Sequence, residues 1–90
     1  MFVQTVTAPL EEFERMNERL RIISDPPEAL VAAIAWTGAD GLVTTVNVWD
    51  SPEAIADFYV ERVGPIVTAE GEPTNKPKVH GKPLVVYIRR

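Results

Sequence analysis

An α+β domain of βαββαβ order, its four strands in one antiparallel sheet, is predicted by three features of this sequence. Apolar residues recur at helical spacing in two segments, Leu10 to Ile23 and Ile55 to Val67. Runs of β-branched residues without breakers lie before, between and after them. Thr37-Gly38-Ala39-Asp40-Gly41 joins the two middle runs with the residue types that a hairpin connection needs, glycine and aspartate supplying positive φ.

Phe2 to Thr7 is the first predicted strand. Pro9 opens the first helix, because a proline in the first turn sacrifices only an amide that would be unpaired there. Glu11, Glu12 and Glu14 suit the positive end of the helix dipole, and Arg19 and Arg21 suit the negative end. Leu10, Phe13, Met16, Leu20 and Ile23 form its apolar stripe, and Asp25-Pro26-Pro27 is expected to stop it. Leu30 to Trp36 and Leu42 to Trp49 are the second and third strands. Ser51 is the expected N-cap of the second helix, with Pro52 at its first position. Ile55, Phe58, Tyr59, Arg62, Val63, Ile66 and Val67 follow one face, and Pro65 within that pattern predicts a kink. Gly71 ends the helix, Leu84 to Ile88 is the last strand, and Val79-His80 is an extra edge segment before it. Two similar halves in this order make a ferredoxin-like arrangement spanning residues 1–90 as one domain, with both helices on one face of the sheet.

A chain of 90 residues buries only roughly 60–65 % of its unfolded surface. It has no cysteine, so neither disulfides nor a thiolate zinc site supplements the core. Several strands are nevertheless apolar or β-branched on both faces, and 46 % of the residues are hydrophobic. The sheet face away from the helices is therefore expected to be covered, most simply by a second copy in a two-fold, face-to-face homodimer. A net charge of −4 argues against nucleic acid as a partner. Met1 to Pro9 lacks the charge and apolar run of a secretory signal, and no window approaches the roughly 18 apolar residues of a membrane span. The expected location is cytoplasmic, with no membrane partner. All 13 acids lie between Glu11 and Glu72, whereas the tail holds Lys76, Lys78, Lys82, Arg89 and Arg90. Such a tail is read either as a solvated terminus or as an arm for an anion or a neighbouring acidic helix.

The segment Val46-Asn47-Val48-Trp49-Asp50-Ser51-Pro52-Glu53-Ala54 resembles the antibiotic biosynthesis monooxygenase superfamily of dimeric α+β barrels, in which a strand ends in Trp-Glu/Asp-Ser-x-Glu-Ala at the start of the second helix. The element order matches along essentially the whole chain. The resemblance implies a dimeric α+β barrel. It also implies one of several activities: cofactor-free oxygenation of polyketide phenols, haem degradation, quinol oxidation, or none known. The superfamily's chemical residues do not carry over with the fold. Polyketide oxygenases of this kind place an asparagine four residues before the tryptophan and a tyrosine six after it; here Trp49 is kept, but those positions hold Thr45 and Ile55. Haem-degrading members place a tryptophan on the second helix and a histidine ten residues on, where this chain has Phe58 and Thr68.

The remaining candidates are isolated polar or aromatic groups on apolar faces. Trp49 is read as a packing residue at the sheet corner or as a wall on which a planar ligand stacks. Asn47 lies two residues before it on the same strand face, where a buried amide needs partners from the protein or from a ligand. Asn17 falls between Phe13 and Leu20 on the inward side of the first helix; Gln4, Tyr59 and Tyr87 carry further polar tips. His80 is the only imidazole; without a second histidine or a cysteine no metal site is expected, and no cofactor is expected either. No nucleophile elbow surrounds Ser24 or Ser51, and Gly38 and Gly41 lack a phosphate-loop pattern.

Three functions follow as expectations. In the first, each subunit binds a small, mostly apolar, aromatic ligand between sheet and helices, lined by Asn17, Asn47, Trp49, Phe58 and Tyr59. In the second, that pocket serves a cofactor-independent monooxygenase acting on a phenolic or polyketide-like substrate. In the third, the dimer is a structural or regulatory interaction module.

Overall fold

The computed structural model describes residues 1–71 and 77–81. Strand β1 (Phe2–Pro9) leads without a loop into helix α1 (Leu10–Leu20). Strands β2 (Leu30–Thr37) and β3 (Leu42–Trp49) form the hairpin. Helices α2 (Pro52–Phe58) and α3 (Gly64–Glu70) are joined by a π turn over Tyr59–Val63, and β4 (Lys78–Gly81) follows. The sheet order is β2-β3-β1-β4, with every pair antiparallel. This is the ferredoxin-like α+β fold that the element order predicts.

The local signals act as expected at most boundaries. Asp40 Oδ1 accepts from Leu42 N at 3.0 Å, and Gly41 takes φ 81° in the hairpin connection. Ser51 Oγ accepts from Ala54 N at 3.2 Å, with Pro52 behind it in the first turn. Gly71 leaves the last helix at φ 85° while its amide bonds Val67 O.

Two boundaries differ from the prediction. Helix α1 stops at Leu20, before the Asp25-Pro26-Pro27 breaker, because Arg21 turns left-handed at φ 56°. The Arg62 guanidinium holds that ending: Nη1 donates to Leu20 O at 3.0 Å and Asp25 O at 2.7 Å. Ile23 consequently leaves the helix stripe and is 71 % exposed. The interruption expected at Pro65 takes the form of the π turn just before it. Proline has no amide to give and its ring crowds the carbonyl four residues back. The chain relieves this by an added residue per turn, with Gly64 N reaching Tyr59 O, five residues away. The edge segment at Val79-His80 is present as β4, paired with β1 through Gln4↔Val79. The predicted strand Leu84 to Ile88, with Tyr87, lies outside the described residues.

The core is small. Among the described residues the buried apolar side chains are Ala8, Leu20, Val43 and Trp49. Arg19 and Glu70 pair across the two helical segments.

Candidate functional site: a cavity between sheet and helices

Strand pairing aligns three cross-strand rows on the face beneath the helices. Gln4, Asn47 and Ala33 form the first row; Val6, Thr45 and Ala35 the second; Ala8, Val43 and Thr37 the third. β2 contributes the small side chains of Ala33 and Ala35 to this floor, and Ile34 between them also borders the space beneath the helices. The space left is a cavity of about 390 Å³. Its roof comes from one face of α1, with Phe13, Met16, Asn17 and Leu20, and from Ile55, Phe58, Tyr59 and Val63 of the second helical segment. Ile22 and Ile23, in the turn after α1, also line it. The size suits a small organic molecule, and the walls are mostly hydrocarbon with a few polar groups, as ligand sites usually are.

Asn47 is the chemically distinctive group. It is 6 % exposed, and its Oδ1 has no hydrogen-bond partner among the described residues. A buried acceptor left unpaired costs about 1–3 kcal/mol, so such atoms are usually matched by something. The neighbouring donor is already committed: Trp49 Nε1 donates to Gln4 Oε1 at 3.1 Å. Gln4 stands directly opposite Asn47 in the β1–β3 register.

Of the five residues expected to bind ligand, Asn17, Asn47, Phe58 and Tyr59 line the cavity. Trp49, 1 % exposed, stands behind that lining, with its ring centroid 5.1 Å from that of Phe58 at a 50° tilt. Phe58 in turn has the Arg62 guanidinium 5.8 Å from its ring centroid. Trp49, Phe58 and Arg62 therefore lie in series, with Phe58 on the cavity wall. Thr45 and Ile55, the positions that the resemblance equates with polar catalytic groups, line the cavity too, as a hydroxyl and an alkyl side chain. His80 is elsewhere: its Nε2 is 2.6 Å from Thr5 Oγ1, on the opposite face of the sheet from Gln4 and Asn47.

The reading from sequence missed the residues that make the space. Ala33 and Ala35 alternate along β2 and lie in register with Asn47 and Thr45. Two alanines on the helix-facing side of a strand are the signal that was available. Glu12, in the first turn of α1, also lies on the cavity wall. Among the described residues no cluster of three or more His, Cys, Asp or Glu is placed to hold a metal ion, and no helix is long and apolar enough to cross a membrane.

The fold and cavity define a class: a ferredoxin-like α+β sheet with a ligand-sized space under its helices. Solved structures share that fold. A provisionally assigned antibiotic biosynthesis monooxygenase from Deinococcus radiodurans superposes with a TM-score of 0.58 at 13 % identity, covering 100 % of each chain. A conserved protein from Methanosarcina mazei Go1 gives a TM-score of 0.61 at 9 % identity, covering 91 % of this chain and 92 % of that one. By sequence the chain matches no protein-family profile and no curated protein.

Proposed function

We propose that the cavity binds a small, planar, mostly apolar ligand and that Asn47 anchors its polar end. The single observation that carries this reading is the cavity of about 390 Å³ between sheet and helices, mostly hydrocarbon in its walls, with the Asn47 amide on its floor. Phe58, backed by Trp49, supplies an aromatic wall; Asn17 and Tyr59 supply further polar tips. Tryptophan fluorescence reports on this site, because Trp49 touches a lining ring. Titration with naphthols, anthrones and quinols is expected to give a saturable change, and Asn47→Leu is expected to abolish or weaken it. A flat titration across the panel rejects the reading and favours an interaction module.

A second reading is favoured by the fold shared with the Deinococcus radiodurans protein and by the coincidence of the cavity with Thr45 and Ile55. In it the ligand is a substrate that reacts with oxygen. An anthrone supplies all the electrons required: its methylene carbon becomes a carbonyl, one oxygen atom of O₂ enters that carbonyl, and the other leaves as water with the two methylene hydrogens. The chain's part is then to bind, orient and exclude water. An oxygen electrode reading one O₂ consumed per anthrone, above the rate without protein, separates this enzyme from a binding protein.

The homodimer belongs to the same proposal. The sheet face opposite the cavity presents Ile34, 64 % exposed, and Trp36, 49 % exposed. Val46 and Val48 flank them along β3. A four-stranded face supplies the roughly 800 Å² per subunit that a stable interface needs.

A further inference from the structure

We propose that the turn between α1 and β2, residues 21–27, is a gate at the cavity mouth and that Arg62 is its latch. Arg62 then sets how fast a ligand enters and leaves, while the walls set how tightly it is held. This rests on the cavity being a ligand site and adds how that site is reached.

The mouth is located by exposure. Most of the described lining is buried or half-buried, but Ile23, Tyr59, Ala33, Ile34 and Ala35 are exposed, Pro77 being the other exposed member. Those five come from the turn after α1, from the π turn and from β2, so these three segments frame the opening. Of the three, β2 is fixed by its ladder to β3, and the π turn lies within a continuous helical stretch. The turn after α1 is the segment that can swing without breaking a helix or a strand. Its Ile22 and Ile23 both line the cavity, and Ile23, an alkyl side chain 71 % exposed, gains little burial from staying in place.

The latch is located by hydrogen bonds. Arg21 hinges the turn at φ 56°, a left-handed conformation that a residue with a Cβ adopts at a cost. At the other end Pro26 and Pro27 restrict the chain, and beyond them Ala29 O is held by Asp50 N at 2.9 Å. Between Ile22 and Pro26, every hydrogen bond or ion pair among the described residues that reaches outside the turn ends on Arg62. Its Nη1 donates to Asp25 O at 2.7 Å as well as to Leu20 O at 3.0 Å, and Nη2 stands 3.6 Å from the Asp25 carboxylate. One guanidinium therefore ties the turn to the fixed end of α1. The Arg62 side chain is only 14 % exposed, so salt screens these contacts less than it screens surface ones. Opening exchanges them for water, which makes the open state a minor one, and loop gates of this kind move on microseconds to milliseconds.

Stopped-flow fluorescence with 2-naphthol, on the wild type and on Arg62→Met, tests the latch. Association and dissociation rate constants are both expected to rise about tenfold or more. The dissociation constant from calorimetry is expected to change by less than about twofold. Ser51→Ala, which removes a helix cap outside the cavity lining, is expected to leave both rates unchanged and so separates the latch from a general loss of stability. In the ligand-free wild type, methyl relaxation dispersion is expected at Ile22 and Ile23 and not at Val43, 4 % exposed on the floor. Flat profiles at Ile22 and Ile23 overturn the gate even if Arg62→Met does not fold. Unchanged rates in a folded Arg62→Met overturn the latch. Faster dissociation alone, with affinity lost, also overturns it, because Arg62 is then part of the binding wall. If calorimetry finds no binding to the wild type, the ligand-site reading falls and the gate with it.

Discussion

At the scale of single residues, function and stability pull in opposite directions at Asn47. An amide oxygen buried without a partner is a cost to the folded chain. Replacing it by leucine, of similar volume and with nothing to satisfy, is expected to stabilise the ligand-free protein by about 1 kcal/mol. For a domain of this size that raises the melting temperature by about 4–8 °C. Thermal unfolding followed by circular dichroism checks it; a lower melting temperature means that Asn47 serves the structure instead. Gln4→Leu acts the other way. It strands the buried Trp49 N–H and is expected to cost about 1–3 kcal/mol in urea unfolding. Ala35→Leu, from the exposed rim of β2, extends an isobutyl group into the cavity and is expected to abolish naphthol binding with little change in stability. Of the cavity lining, Asn17, Asn47, Phe58 and Tyr59 were legible because alternation and helical spacing alone fix which way a side chain points. The position of Trp49 behind Phe58 was not, since it depends on how a strand end meets a helix.

At the scale of elements, the instructive pair is α1 and the π turn. The positions of β3, the hairpin, the Ser51 cap and the Gly71 ending follow from signals a few residues long, and they are where the sequence places them. The end of α1 is decided 42 residues away in the chain, by Arg62 on Leu20 O, and no local pattern announces it. The π turn before Pro65 puts an extra residue into the helix and with it sets where Arg62 points. Arg62, with a side chain only 14 % exposed, makes charge-assisted bonds to α1's last carbonyls while its face lies near Phe58. Arg62→Met is therefore expected to destabilise the chain by about 1.5–3 kcal/mol and to loosen the turn carrying Ile22 and Ile23. Arg62→Lys is expected to recover little, because the lysine side chain ends one bond short of Nη1, the nitrogen that meets the carbonyls of both Leu20 and Asp25. Urea unfolding ranks the three proteins; equal stability of the lysine variant and wild type refutes the role given to Nη1.

At the scale of the whole molecule, the two sides of the sheet carry different tasks. The helix side holds the cavity, and only four apolar side chains are buried among the described residues. The opposite side sets Ile34 against Val46 and Trp36 against Thr44 across the β2–β3 ladder, with Val46 also opposite Thr5 of β1. Exposed aromatic and branched side chains in such rows are covered in most proteins of this size, and two-fold pairing covers both copies at once. Light scattering at micromolar concentration is expected to give twice the 10.0 kDa chain mass. Trp36→Lys, which brings like charges into a self-complementary interface, is expected to give the single mass. Because the cavity opens on the other side of the sheet, that monomeric variant is expected to bind naphthol with wild-type affinity. Loss of binding on dissociation would mean that the neighbouring subunit shapes the site, and a monomeric wild type would remove the dimer from the proposal while leaving the cavity untouched.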